Sequence, residues 1–251
     1  HFDGSFEDVV DYPKNAAVGG SIWVGGSDSP QLVIDDSIFE NWISEYGGAI
    51  YAKDVGTNVS ISSSTFKFNE AVSWCDPDNG DTCSPNFGGG GAGGILATGG
   101  PQLTVVDTLF VSNYGNKGAA VALWTTNDST APTRGDFTRC TFESNIATLI
   151  SGNLRYVNQP GGGIYSMNSP ITLTSSNFTA NEGTYGGGMY VEFANGVENN
   201  SPVTLGSTVF YKNIADMRGG GIFAKQKSAS DTSKPLIRLK GGKNIFEVNT
   251  Q

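Results

Sequence analysis

Apolar residues in this chain recur two apart, in short runs, and not in the stripes that a helix needs. Val59-Ser60-Ile61, Leu103-Thr104-Val105, Ile171-Thr172-Leu173 and Val203-Thr204-Leu205 each alternate apolar and polar positions, the period of a strand with one buried face. Five residues after the second aliphatic of each pair stands a phenylalanine. The full series is Phe39, Phe66, Phe110, Phe142, Phe178, Phe210 and Phe246, and from Phe66 onward each is followed three residues later by Asn: Asn69, Asn113, Asn145, Asn181, Asn213 and Asn249. Trp42 holds that place after Phe39, with Asn41 one position early.

The register extends in both directions. Two residues before each Phe come Ser37, Ser64, Thr108, Cys140, Ser176, Thr208 and Asn244, all small or polar. Seven before it are Leu32, Val59, Leu103, Ile171 and Val203, with Gly135 breaking the column. Downstream come glycine corners such as Gly47-Gly48-Ala49-Ile50, Gly162-Gly163-Ile164-Tyr165 and Gly220-Gly221-Ile222-Phe223. Each unit reads as three short strands. The inward phase slips by one between the aliphatic pair and small-x-Phe, which requires a bend there.

A unit this short cannot bury a core alone, but stacked units can. The expected fold is all-β: a right-handed parallel β-helix of about seven to eight coils with inserted loops, one domain across residues 1–251. At about 4.8 Å per coil the stack is some 30 Å long or more. The phenylalanines form one internal column. The asparagines, which tolerate turn conformations, bind backbone above and below. Double glycines fit corners where a side chain would clash.

The pattern resembles the repeats of the polymorphic outer-membrane proteins, whose marks are Gly-Gly-Ala-Ile and Phe-x-x-Asn. Gly47 to Ile50 match the first in full, close variants follow in five later units, and the likeness covers roughly residues 19 to 249. It implies a pectin-lyase-like β-helix. The same repeat occurs in bacterial adhesins and in many eukaryotic surface proteins, so it speaks to fold and not to one activity.

Composition narrows the function. Net charge is −9 and charged residues are only 16% of the chain, which argues against a nucleic-acid partner. No run approaches the ~18 apolar residues of a membrane span. The chain starts at His1, and no polar cap follows Asn249. The expectation is a segment of a longer chain, or coil ends that meet a neighbouring subunit. Cys75 and Cys83 bracket the polar stretch CDPDNGDTC in a loop inserted over residues 70–92. Their spacing predicts a local disulfide and an oxidising, extracellular or cell-surface setting. The rival reading is two unpaired thiols.

Chemistry is sparse. A polysaccharide-active β-helix needs paired carboxylates, or acidic metal ligands with a cationic base. Asp107 faces Arg139 in the column three before the Phe, and Glu192 faces Lys225 three beyond the first-strand aliphatic; both read as ion pairs. The only His is His1. Asp76 to Asp81 fails the EF-hand spacing because Gly80 takes a ligand position. No catalytic, cofactor or metal residue is expected, and Cys140 reads as a small core residue.

Binding features remain. Just after the first-strand aliphatic come Tyr51, Ala97, Ala122, Tyr165, Tyr190 and Phe223, on the outward parity. Tyr165, Tyr190 and Phe223 are the candidates for ligand stacking; the competing reading has them covering the glycine corner. Asn58, Asn127, Asn177 and Asn199 begin sequons and are candidate N-glycosylation acceptors. The resulting expectation is a non-catalytic structural or adhesive protein of a secreted filament, appendage or cell surface. Its partners are further segments of the same chain, neighbouring subunits, or glycans. The alternatives are a carbohydrate-binding or polysaccharide-active enzyme, and an autotransporter-like adhesin passenger.

Overall fold

The computed structural model describes residues 2–3, 20–44, 46–71, 91–125, 129–147, 149–151, 154–156, 159–193, 203–226 and 237–250. They form a right-handed parallel β-helix of four parallel sheets, with seven, seven, eight and six strands, and a separate antiparallel pair of Leu149–Ser151 with Leu154–Tyr156. The first sheet holds the strands that follow the glycine corners, such as Ile50–Lys53, Ile95–Thr98, Val121–Trp124 and Ile164–Met167. The second holds the aliphatic pairs, as in Asn58–Ser62 and Gln102–Val106. The third holds the phenylalanines, as in Thr65–Lys67 and Leu109–Val111. Among the described residues no helix is long and apolar enough to cross a membrane.

The expected three strands per coil become four. Two-residue strands such as Ile43–Ser44 and Ile146–Ala147 follow the asparagine and build the fourth sheet. Their inward positions are Ser44, Ala71, Gly115, Ala147, Gly183 and Ala215, all small, because the glycine corner of the same coil closes against them.

The bend between the second and third strands is a single residue in the left-handed region. Asp36, Ser63, Asp107, Arg139, Ser175 and Ser207 have φ from 46° to 53°. A second left-handed residue follows each third strand: Asn41, Phe68, Ser112, Ser144, Ala180, Lys212 and Val248, with φ from 51° to 60°. The conserved geometry of the turn thus falls on the residue before the asparagine column, and not on the asparagine as expected.

Inside, Phe39 to Phe246 stack face to face, with neighbouring centroids 4.4 to 5.1 Å apart and planes within 13°. Beside them runs an amide ladder. Asn145 Nδ2 donates to the Phe110 carbonyl at 3.0 Å and to Asn181 Oδ1 at 2.9 Å, and its own Oδ1 accepts from Asn113 N and Nδ2. The same bonds link Asn69 through Asn213 to Asn249. Trp42 donates only its backbone N–H to Asn69, so the first rung has no side-chain amide. A shorter ladder uses the small column: Ser64 Oγ donates to the Ser62 carbonyl and accepts from Ser37 N, and Cys140 takes the equivalent place.

Gly135, which breaks the aliphatic column, has its volume filled by others. A Cβ there would lie 2.6 Å from Leu123 Cδ1 and 2.7 Å from Phe137 Cε2. Phe137, larger than its aliphatic counterparts, leans into the gap and meets Phe142 edge-on at 5.7 Å.

Candidate functional site

The outer face of the first sheet carries the surface aromatics. In register, its outward column reads Trp23, Tyr51, Leu96, Ala122, Tyr165, Tyr190 and Phe223. This corrects one position of the repeat register. Leu96 stands in the column where Ala97 was expected, and Ala97 joins the internal core. Two residues beyond Leu96, Thr98 pairs with Trp124 in the next outward column.

Tyr165 and Tyr190 have the expected outward parity but are buried, at 4% and 6% exposure, and Phe223 is partly buried beside them. The Tyr165 and Tyr190 rings stack at 5.5 Å, and Tyr185 packs edge-on against Tyr190 at 6.4 Å. Tyr190 donates its hydroxyl to Glu192 Oε2 at 3.1 Å. Burial, reinforced by the charge of Glu192, drives both phenols well above their ordinary pKa.

Where the column drops from aromatic to Leu96 and Ala122, a cleft opens, with a volume of about 230 Å³. Tyr51 and Tyr165 stand at its two ends, and Trp124, Thr98 and Lys53 come from the next outward column of the same strands. Lys117, from the turn before Val121–Trp124, places Nζ 4.7 Å from the centroid of the Trp124 ring. Burial lowers the pKa of this ammonium, and the field of Glu192 partly offsets the shift. Tyr51 and Thr98 share a hydroxyl–hydroxyl hydrogen bond of 3.1 Å. The cleft thus combines stacking surface, two ammonium groups and a pair of hydroxyls. Of the three stacking candidates only Tyr165 lines it.

The remaining candidates lie apart. Asn58 and Asn177 are exposed on outer faces of the second and third sheets. Asn127, Asn199, Cys75 and Cys83 lie outside the described residues. Arg139 donates Nε and Nη2 to the two Asp107 carboxylate oxygens, both at 2.6 Å, an exposed bidentate pair that holds the Asp107 carboxyl below its usual range. Glu192 and Lys225 are register neighbours. Among the described residues no group of three or more His, Cys, Asp or Glu could hold a metal ion. Comparison with protein-family models, curated proteins and solved structures finds no match.

Sequence reasoning missed the cleft. Its signal was available: two non-aromatic residues interrupt an aromatic column, and Lys117 lies seven residues before Trp124. The one-residue slip at Ala97 hid that interruption.

Proposed function

We propose that this chain is a non-catalytic structural or adhesive β-helix of the extracellular space or cell surface, of the repeat type that marks the polymorphic outer-membrane proteins. The observation that carries the reading is the fate of the repeated residues. The phenylalanines stack and the asparagines bond along the whole axis, so the repetition makes a stiff rod and leaves function to the outer faces and coil ends. The last described coil presents Leu239 and Phe246 to solvent, a continuation of the internal columns onto which another coil fits. Asn58 and Asn177, exposed on flat strands, have room for glycans.

Its partners on this reading are further coils, from the same chain or a neighbouring subunit, together with glycans. The test is electron microscopy and native mass of the protein from its source, with intact-mass analysis of the sequon asparagines. Rods longer than this chain alone support the reading. Single 26.3 kDa particles that degrade an acidic polysaccharide would replace it with the enzyme alternative.

A further inference from the structure

The geometry points to the notch between Tyr51 and Tyr165 as a binding site for a small aromatic carboxylate, its ring laid between the tyrosines and Trp124 and its carboxylate on Lys117 and Lys53. The proposal goes beyond the structural reading and does not depend on it.

Size comes first. Tyr51 and Tyr165 are three strand steps apart in register, about 14 Å along the stack. Leu96 and Ala122 form the floor between them. A volume of about 230 Å³ lies below the range of roughly 300–1,000 Å³ usual for drug-sized ligands. It has room for one ring system.

Charge comes next. The protein carries −9 overall, yet the described residues lining the notch include two lysines and no carboxylate, and Glu192 acts on Lys117 from outside that lining. Lys117 is partly desolvated above Trp124, and its lowered pKa reports that cost. An anion delivered into the notch offsets it, since desolvated charge is stabilised by a close counter-charge.

The polar inventory then selects among anions. Apart from the ammonium groups the described lining holds the hydroxyls of Tyr46, Tyr51, Thr98 and Tyr165 and the indole N–H of Trp124; Tyr51 and Thr98 already bond each other, and Tyr165 donates to Met167 Sδ at 3.5 Å. A sugar acid brings several hydroxyls that would lose water without replacement. A bare phosphate would leave the aromatic walls unused. A flat ring with a single carboxylate uses walls and charges together, through stacking and a charge-assisted hydrogen bond.

The test is calorimetric titration of the whole chain with 4-hydroxycinnamate, checked by Trp124 fluorescence. Neutral 4-hydroxycinnamyl alcohol, cyclohexanecarboxylate and glucuronate serve as comparison ligands. The expected result is saturable one-to-one binding of 4-hydroxycinnamate, at least tenfold tighter than any of the three. Lys117→Met, which keeps an apolar stem above Trp124, should erase the preference over the alcohol. Ala122→Tyr should abolish binding by completing the aromatic column; if it fails to fold, Lys117→Met alone carries the test. Tighter binding of glucuronate, equal binding of the alcohol, or full binding to the Ala122→Tyr protein overturns the proposal. None of these outcomes alters the test of rod assembly.

Discussion

Asn145 sits in the middle of the amide ladder, fully buried, and its side chain serves Phe110, Asn113 and Asn181 at once. Asn145→Ala leaves a buried carbonyl and the donors of Asn113 without partners. At roughly 1–3 kcal/mol for an unsatisfied buried group, the loss should be about 3 kcal/mol by urea denaturation. Cys140 gives a contrasting prediction. It fills a place held elsewhere by Ser or Thr, and burial pushes its thiol from 9.0 up to about 11. The folded state therefore keeps its proton when the unfolded chain has lost it. Stability from this group is fully present below pH 9 and falls between pH 9 and about 11. Cys140→Ser should remove that slope relative to the parent, cost about 1 kcal/mol or less at neutral pH, and Cys140 should resist alkylation until the chain unfolds. Both residues were legible in the sequence, because a column of identical or small residues at fixed spacing is visible without coordinates. The side-chain bonding of Asn was legible too, whereas its backbone was not. The left-handed residue is the preceding one, which varies among Phe68, Ser112, Ala180 and Lys212, so composition gave no sign of it.

At the scale of the coil, backbone geometry and packing set what can change. A Cβ on Gly188 would lie 2.6 Å from the Gly221 carbonyl oxygen and 2.8 Å from Phe210 Cδ1. Gly188→Ala should cost about 1–3 kcal/mol by overpacking, and Gly135→Ala the same against Leu123 and Phe137. Ala180, at φ 53°, should move the other way. Glycine relieves about 1–2 kcal/mol of left-handed strain and loses roughly 0.5–1 in the unfolded chain, so Ala180→Gly should be neutral or stabilising by up to about 1 kcal/mol in the same assay. The fourth strand escaped the sequence reading because two residues show no alternation. Its trace was the small column from Ser44 to Ala215, five positions after each Phe. The cleft escaped for a related reason. In a strand a slip of one residue exchanges inside for outside, and aligning Ala97 in place of Leu96 concealed the break between Tyr51 and Tyr165.

Across the whole molecule, stability is close to a sum of coils and their interfaces. Position along the axis should therefore decide the effect of one substitution made in different repeats. Phe142→Ala, in a fully buried ring between two others, should cost about 3–5 kcal/mol. Phe246 stacks on Phe210 alone and is 47% exposed, so Phe246→Ala should cost markedly less in the isolated chain. In an assembled rod the two should converge, because a further coil would cover Phe246. That difference bears on the central claim, that the repeat builds a rod whose coil ends join other coils. The most direct measurement is electron microscopy of the native protein at a resolution that separates coils. The account predicts an unbroken β-helix in which a further coil, at about 4.8 Å rise, covers Phe246 and Leu239. Isolated particles of this chain's mass, with that face open to solvent, would contradict it.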